Sequence, residues 1–546
     1  MQLLDYLTKL YENEIKEYID NLYEARDAAE EDLKSDALTP EAKAVALESL
    51  KEIQQNILDI TDPTLPDYII DCIKVGCAWE GYVKNVKPPT VVDFEGWKIV
   101  INYNLLTDWL IKRFAIVSHA KSIYIWNGKQ YVENKGEVEK TIEQILRDQG
   151  VSDKRKIRDT VAEILMRILW KTFFREFPFN HFASKLIPVR NGILIRDSVY
   201  KLIPHSPAFG FTYCLPVDYN PKADCPHIKK FISEIVAEEN QQILYEIPAV
   251  ALLQNPWYQV AYMLVGDGSN GKSTYLKLLE HFLGRENISN VSLQELCEDR
   301  FKPAQLVGKL ANIYADLPRN PIRYTGRFKV LTGGDRITIE RKYKDPFEFE
   351  NRAVLIFSAN QLPEVNDFTY AFWRRWIVIE FPNKFPKNPD LIKELTKPEE
   401  LSGFLNEVLK AMTRIEVKGE VMRTDAVEKM METWMRKANS VYAFVNNCLE
   451  KSANDFEKKD DVYNAYTRFC ELEGLTALPK NKFGLELQRF INVKSGQARI
   501  AGERVTIWRG IRLKCKDCKK CEEEEIEEGK TLEDYGDSWD LNELLS

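Results

Sequence analysis

The chain has 546 residues, which is enough for three or four domains, and 44% of them are hydrophobic. This composition supports packed cores and excludes a wholly disordered protein. No apolar run approaches the length of a membrane span, and residues 1–5 lack the features of a signal peptide. Ten scattered cysteines favour free thiols in a reducing compartment. We therefore expect a cytoplasmic protein with no membrane partner.

The net charge of −8 is unevenly distributed along the chain. Residues 1–60 carry −9 and residues 522–546 carry −10, which leaves +11 for residues 61–521. A basic body between acidic ends suits a partner rich in phosphate, although many basic faces are only solvated.

The first two regions are predicted to be helical and then mixed α/β. Residues 1–60 show helical apolar spacing on both sides of Thr39, an N-cap followed by proline, and we expect a helical hairpin there. This hairpin would dock on the body or on a neighbouring subunit. Residues 61–245 are predicted to form a mixed α/β domain, with a β-hairpin at 123–132 around an Asn-Gly turn.

Three polar residues of this domain are similar to a known type of metal site. Asp93 and Glu95, followed by His119, are similar to the acidic pair and histidine of archaeal-type primase sites. No third acidic strand motif accompanies them, and the interval is short for such a domain. We therefore favour a surface strand and a loop histidine.

The centre of the chain contains a phosphate-binding motif in its proper context. Residues 266–274 fit the pattern G-x-x-x-x-G-K-[ST], with an apolar strand-like run before them and a helical apolar pattern after them. Backbone N–H groups and a helix N-terminus would then converge on a phosphate. Lys272 would pair with the β- and γ-phosphates and Ser273 would ligate Mg²⁺, so we expect ATP and Mg²⁺ as cofactors. The predicted nucleotide-binding residues are Gly266, Asp267, Gly268, Ser269, Asn270, Gly271, Lys272, Ser273 and Thr274.

Three later apolar runs carry polar residues at their ends. Asp316 ends the first run, 44 positions after Lys272, where a carboxylate could reach Mg²⁺ or its waters. Asn360 ends the second and could orient the attacking water. Arg375 precedes the third and suits a finger that reaches into a neighbouring site. Lys272, Asp316, Asn360 and Arg375 are the predicted catalytic residues.

A second β-hairpin is predicted between Asp316 and Asn360. Alternating Ile and Thr at 337–339 lead into a basic, aromatic tip. Cations meet phosphates and a ring can stack on a base, so this tip is a candidate DNA contact. The alternative is a solvated hairpin tip. The candidate DNA-binding residues are Arg341, Lys342, Tyr343 and Lys344.

The C-terminal part is predicted as a helical linker and winged-helix domain at 416–514, followed by a distinct tail. The wing segment is basic, which suits duplex contact, although winged helices also bind proteins. Cys515, Cys518 and Cys521 have metal-ligand spacing, but no fourth ligand lies beside them, and we favour a flexible linker. Residues 522–546 are predicted to be a disordered acidic tail whose apolar end could dock on a replication partner.

Five motifs of residues 246–415 resemble, in order and spacing, those of the superfamily 3 helicases of viruses and plasmids, above all their primase-helicases of phage, plasmid and pox type. The residues that carry the resemblance are the phosphate loop at 266–274, Asp316, the segment 328–335 with 341–344, and the segments 357–360 and 374–381. The resemblance extends upstream, to 124–132, 191–194 and 204–207.

The resemblance implies AAA+-like cores in a homo-hexameric ring, ATP sites between subunits, and central hairpins that grip single-stranded or forked DNA with 3′→5′ travel. It implies that Asp316 is the metal-site acid, Asn360 the sensor, Arg375 the trans finger and Lys342 the hairpin contact. For a viral protein the compartment would be the host cytoplasm. Leu317 departs from the family, because many such ATPases have a second acid there.

The overall expectation is an α/β multidomain protein with a helical N-terminus, a mixed α/β middle domain, an AAA+-like P-loop core and a C-terminal winged helix. Its expected function is that of an ATP-driven DNA helicase of viral or plasmid replication. A fused polymerase-primase domain is not recognised, so priming would come from another protein. Two alternatives stay open: a primase or primase-helicase, and an origin-binding or loader module that uses ATP only for assembly.

Overall fold

The structure is a computed structural model that describes residues 2–34, 39–62, 65–96, 98–175, 179–180, 185–196, 200–318, 322, 324–342, 346–363, 365, 367, 369–500 and 503–514. Within these ranges, helices, one parallel sheet and several small antiparallel sheets alternate along the chain. The predicted mixed α/β class, with a helical N-terminus and a parallel sheet, is confirmed. None of the helices in these ranges combines the length and the apolar character that crossing a bilayer requires.

The N-terminal region consists of helices that pack on the chain's own body. They are α1 (Gln2–Leu10), α2 (Glu12–Lys34), α3 (Pro40–Thr61) and α4 (Asp67–Asn85). The predicted first helix is divided into α1 and α2 at Tyr11, and Thr39 caps α3 as expected. Tyr11 is fully buried and donates a 2.6 Å hydrogen bond to the Lys112 carbonyl, so this region is anchored to the next domain.

The middle region is built from short antiparallel sheets and three helices. Its elements are β1 (Val92–Glu95), β2 (Lys98–Ile101), α5 (Tyr103–Phe114), β3 (Val117–His119), β4 (Ser122–Trp126), β5 (Tyr131–Glu133), α6 (Lys135–Asp148), α7 (Lys154–Lys171), β6 (Leu186–Val189), β7 (Gly192–Ile195) and β8 (Lys201–Ile203). The hairpin predicted at 123–132 is β4–β5, with Trp126 opposite Tyr131. Helices α5, α6 and α7 enclose a hydrophobic core separate from the main one.

The central region carries the parallel sheet. Its elements are α8 (Pro226–Ile235), α9 (Glu238–Leu253), β9 (Ala261–Val265), α10 (Lys272–Leu283), β10 (Ile288–Ser289), α11 (Leu293–Glu298), β11 (Ala311–Tyr314), α12 (Gly326–Gly333), β12 (Arg336–Ile339), β13 (Phe347–Glu350), β14 (Val354–Ala359), α13 (Tyr370–Trp373) and β15 (Trp376–Glu380). The strand order is β10-β11-β14-β9-β15, with every neighbouring pair parallel. Every residue of β9 and β14 is buried, which explains why both strands are continuous apolar runs in the sequence.

The C-terminal region begins with helices that pack on the central region and ends in a small three-stranded sheet. Its elements are α14 (Leu391–Leu395), α15 (Pro398–Lys418), α16 (Asp425–Ala438), α17 (Ser440–Cys448), β16 (Leu449–Lys458), α18 (Lys459–Leu472), α19 (Lys480–Phe490), β17 (Lys494–Ile500) and β18 (Glu503–Leu513). The sheet order is β16-β18-β17, all antiparallel.

The helices and strand pair expected of a winged helix are thus present, while the winged-helix assignment itself stays a prediction. Leu485 is 65% exposed, because α19 turns Phe483, Leu487 and Phe490 inward and leaves Leu485 on the other face.

Candidate nucleotide site

The phosphate-loop motif lies between β9 and α10, at the carboxyl edge of the parallel sheet. Two of its glycines have no room for a side chain. A Cβ on Gly266 would lie 2.6 Å from the Phe381 carbonyl oxygen, and one on Gly271, whose φ is +89°, would lie 2.5 Å from Ile235 Cγ2. The loop is also tied to the segment after β15, because the Phe385 N–H donates to the Ser269 carbonyl at 2.8 Å. Backbone therefore forms the wall of the loop, as a phosphate cradle requires.

Lys272 is the first residue of α10 and is only 3% exposed. Its ammonium group donates to the Gly266 carbonyl, to Asn270 Oδ1 at 3.2 Å and to Asn360 Oδ1 at 3.4 Å. Burial lowers the pKa of this ammonium, and the negative charges of Asp316 and Asp267 act in the opposite direction. Lys272, Asn360 and the two carboxylates therefore belong to one electrostatic site.

Asp316 and Asn360 reach this site through the order of the strands. Strand β11 precedes Asp316 and lies beside β14, which precedes Asn360 and lies beside β9. The carboxyl ends of parallel strands meet at one edge, where α/β proteins bind ligands. Asp316, Asn360 and the Ser273 side chain are all exposed at this edge, and oxygen atoms of these kinds suit Mg²⁺.

The backbone around Asp316 explains the departure at Leu317. Asp316 has φ +54°, a conformation that aspartate tolerates better than most residues, and its N–H donates to Ser358 Oγ at 3.3 Å. The Leu317 N–H donates to the Ser358 carbonyl at 2.8 Å, and its side chain is 6% exposed. Leu317, at the position where the resemblance leads us to expect a second acid, thus points into the core.

A cleft of about 780 Å³ opens beside the loop and extends to the C-terminal helices. It is lined by Gly266, Asp267, Asn270 and Asn360 on one side and by residues of α16, α17 and α18 on the other. Three cations in the wall of this cleft were not predicted from the sequence, because the pattern of an amphipathic helix or a loop does not indicate which cleft its side chains line. These cations are Lys384, Arg436 and Lys437.

Arg375 lies at the opposite edge of the sheet. Its carbonyl accepts from the Ala261 N–H at the first residue of β9, whereas the phosphate loop follows the last residue of that strand. At about 3.3 Å per residue, the five residues of β9 separate Arg375 from the loop by roughly 16 Å. Arg375 therefore does not join the cluster formed by Lys272, Asp316 and Asn360.

The Arg375 side chain is buried in this single chain. It is 6% exposed, its Nη1 donates to the Ala371 carbonyl, and within the described residues its Nε has no hydrogen-bond partner. Burial lowers the pKa of this guanidinium, Arg374 lowers it further, and Asp335 opposes both. A role in a neighbouring site stays a prediction, and it requires the side chain to leave this position.

The predicted central hairpin is formed by β12 and β13, in antiparallel register. Of its candidate DNA contacts, Tyr343 and Lys344 lie outside the described residues. Arg341 pairs with Glu133 of the middle region at 3.4 Å and lies over the Phe347 ring at 5.1 Å. Lys342 lies 5.8 Å from the centre of the Phe301 ring. The base of the hairpin tip is therefore held against the body of the protein.

The residues similar to a primase site do not form a metal centre in the structure. Asp93 and Glu95 are exposed on β1. His119 ends β3, and its Nδ1 lies 3.1 Å from the Phe174 carbonyl oxygen. Across the ranges that the structure describes, no group of three or more His, Cys, Asp or Glu side chains could hold a metal ion. The cysteine cluster at 515–521 and the acidic tail lie outside those ranges.

Three family models match successive parts of the chain. The model described as "D5 N terminal like" matches residues 104–237, and the model described as "Poxvirus D5 protein-like" matches residues 436–526. Between them, a model described as "Family of unknown function (DUF5906)" matches residues 264–375, which contain the phosphate loop, Asp316, Asn360 and Arg375.

Among solved structures, the chain is similar to the C-terminal region of NrS-1. One such structure has a TM-score of 0.44 and 15% identity, and the match covers 75% of this chain and 98% of that one. A helicase of JCV matches with a TM-score of 0.22 and 17% identity, over 40% of this chain and 65% of the other.

Two curated viral proteins match shorter stretches. The putative helicase L207/L206 of Acanthamoeba polyphaga mimivirus is 34% identical over 143 residues, which are 25% of this chain. The putative helicase 121R of Invertebrate iridescent virus 3 is 28% identical over 138 residues, which are 23% of this chain. The match spans 15% of the length of each relative. Together with the ordered motifs, the D5-type family models and these viral relatives support the resemblance of this chain to the primase-helicases of superfamily 3.

Proposed function

We propose that this protein is an ATP-dependent DNA helicase that acts in the replication of a viral or plasmid genome. The observation that carries the proposal is the meeting of Lys272, Asn360 and the Asp316 charge at one edge of a parallel sheet. The D5-type family models on either side of this site, and the helicase names of two viral relatives, support replication as the setting.

In the proposed reaction, ATP lies along the loop 266–274 with its γ-phosphate beside Lys272. The absence of room for a Cβ at Gly266 and Gly271 fits a ligand that is held by backbone N–H groups. Ser273 and Asp316 would hold Mg²⁺, which supplies charge neutralisation on the β- and γ-phosphates when it is bound. Asn360, which already touches the Lys272 ammonium, would orient the attacking water.

Completion of each site by a neighbouring subunit is also part of the proposal. Arg375 is separated from its own loop by the length of β9, so it cannot serve that loop without large movement. In a homo-hexameric ring the same edge of one protomer would face the loop of the next, and Arg375 would act there in trans. Its buried position then corresponds to a state without the neighbour.

Arg341, Lys342, Tyr343 and Lys344 would contact single-stranded or forked DNA inside such a ring, and 3′→5′ travel is proposed from the family resemblance. The positive charge of residues 61–521 supports a partner rich in phosphate. The exposed basic side chains of α19 and β17 would add duplex contact, and the acidic tail a site for a replication partner.

The deciding experiment is unwinding of a labelled forked DNA with and without ATP, alongside particle images of the same sample. We expect strand separation that requires ATP, and rings of six subunits. Assembly with ATP but without DNA-stimulated turnover or unwinding would favour the origin-binding or loader alternative. Synthesis of new primers on a template with added nucleotides would favour the primase-helicase alternative. Failure to bind ATP at all would refute the proposal.

A further inference from the structure

Helix α7 of the middle region exposes a stripe of large apolar side chains. Met166 is 54% exposed, Trp170 is 80% exposed, and Phe173, just beyond the helix end, is 61% exposed. Residues four apart on a helix are neighbours, so Met166 and Trp170 form one surface, and Phe173 lies at its C-terminal end. Single exposed apolar residues are ordinary, but three adjoining ones mark an interaction surface. We refer to these three residues as the α7 stripe.

The core does not require these residues to be apolar. The opposite face of α7 already packs inward through Ile157, Ile164 and Ile168, which are at most 3% exposed. The stripe therefore faces away from the hydrophobic core that α5, α6 and α7 enclose. An exposed tryptophan at that position suits contact with a binding partner or with a segment of the chain outside the described residues.

Helix α7 as a whole is basic, and most of its cations lie at residues 154–158, about three turns before Trp170. Residues 154–171 contain six Lys or Arg and two Asp or Glu, which gives a charge of +4. Near Trp170, Lys171 pairs with Asp108 at 2.6 Å and Arg167 pairs with Glu163 at 2.7 Å. Both pairs are solvent-exposed, and Arg167 also donates to Asn104 Oδ1 at 2.7 Å, so Lys171 is the cation beside Trp170 that changes partner more easily. An apolar surface on a basic helix suits an occupant that is both apolar and acidic.

The C-terminal segment of the sequence has this chemistry. Residues 522–546 carry eleven Asp or Glu and one Lys, and apolar side chains are interspersed among the last acids, at Trp539, Leu541, Leu544 and Leu545. Twenty-five residues lead from Lys514, at the end of the described chain, to Trp539. At about 3.3 Å per residue this connection spans up to roughly 80 Å, so its length does not limit what the segment can reach.

We propose that the apolar acidic segment 539–545 docks on the α7 stripe, in the same subunit or in its neighbour. Trp539 and the leucines would cover Met166, Trp170 and Phe173, while the tail carboxylates meet the cations along α7. The α7 stripe of a second copy fits less well as the occupant. A symmetric contact between two such helices would bring two surfaces of charge +4 together. This contact is separate from the ATP site and does not depend on the proposed function.

Photo-crosslinking in the full chain tests the proposal. The photoreactive residue p-benzoylphenylalanine replaces Trp539, the protein is irradiated, and the linked peptides are mapped by mass spectrometry. We expect links to residues 162–175. Trp170→Asp should lower their yield at least about fivefold, and raising the salt to about 1 M should weaken the contact, because its ionic part is screened. Mixing isotopically light and heavy subunits then distinguishes docking within a subunit from docking between subunits.

The matched control is Trp257→Asp, which changes a tryptophan that is 78% exposed in the central region. It should leave the yield unchanged, and both variants should keep the circular dichroism of the parent because both side chains are exposed. Links to another surface, or an equal yield in Trp170→Asp, would overturn the proposal. So would links from a photoreactive residue at position 170 to α7 of a second copy, because the second copy would then be the occupant.

Discussion

The Lys272 ammonium is held in direct contact by neutral oxygen atoms, from the Gly266 carbonyl and the Asn270 and Asn360 side chains. Its carboxylate neighbours act only through their field, and burial lowers the pKa of the ammonium. A buried cation without a direct anionic partner is costly unless an anion arrives. The triphosphate of ATP would supply that anion and raise the pKa of Lys272 again. The Lys272 ammonium would thus gain a direct anionic partner only when ATP is bound.

The first prediction concerns this ammonium. Lys272→Ala should lower ATP hydrolysis at least about a hundredfold, because the variant loses the cation that stabilises charge on the transferred phosphoryl group. Steady-state phosphate release measures the effect. Lys277→Ala is the matched control, since Lys277 lies on the same helix but is exposed. An equal loss in both variants would show that the helix, and not the ammonium, is responsible.

The second prediction concerns Arg375. Arg375→Ala should abolish hydrolysis if this guanidinium completes the site of the next subunit, and the loss should occur with the ATP affinity largely kept. Mixing Arg375→Ala subunits with Lys272→Ala subunits should restore part of the activity. At some boundaries an intact Lys272 then meets an intact Arg375. Phosphate release across a series of mixing ratios gives the measurement. Normal hydrolysis by Arg375→Ala alone, or no recovery on mixing, would contradict the assignment.

At the scale of elements, the central hairpin is linked to the middle region through the Glu133–Arg341 pair. The distance between their charged atoms is 3.4 Å, and the Arg341 guanidinium also lies over the Phe347 ring of β13. The Phe347 ring in turn packs at 90° to the His119 ring, with 6.5 Å between their centres. The strand β5 thus sets the position of a candidate DNA contact that lies more than 200 residues away in sequence.

The third prediction follows from this link. Glu133→Gln should raise the affinity for single-stranded DNA by about fivefold, because the released Arg341 charge becomes available to a phosphate. Fluorescence anisotropy with a labelled oligonucleotide measures it. The double variant Glu133→Gln, Arg341→Ala should bind no better than Arg341→Ala alone. If the gain persists without Arg341, or if Glu133→Gln weakens binding, the pair does not restrain the hairpin.

Some features of these elements could be predicted from the sequence, whereas others depend on tertiary packing. The buried strands β9 and β14 are continuous apolar runs, so the sequence shows where each strand ends. The position of Asn360 at the end of β14 could therefore be predicted. The Glu133–Arg341 pair could not be predicted, because it depends on how two domains pack. The exposure of Leu485 could not be predicted for a related reason, since an apolar residue on an amphipathic helix fits either face until its partners are known. The left-handed conformation of Asp316 likewise leaves no mark in the sequence.

For the whole molecule, the central question is whether the N-terminal helices are part of the folded body. The main hydrophobic core contains Leu7 and Tyr11 together with residues of the parallel sheet and of the C-terminal region. Lys112 links the two parts twice. Its carbonyl accepts from the Tyr11 hydroxyl, and its ammonium pairs with Glu14 at 2.5 Å. The acidic charge of residues 1–60 is therefore fixed to the basic body.

The fourth prediction tests this integration. Leu7 is fully buried, so Leu7→Ala should destabilise the protein by about 2–5 kcal/mol, through lost apolar contact and the cavity that remains. Leu47→Ala, at a helical position that is 45% exposed, is the control and should change stability by less than about 0.5 kcal/mol. Backbone hydrogen exchange should then become faster in α4 and α5, because the packing of the N-terminal helices against them is weakened. It should stay slow in β9, which lies in the parallel sheet. Equal protection of α4 in both variants would mean that the N-terminal helices only rest on the surface, and their removal would then leave the rest of the fold intact.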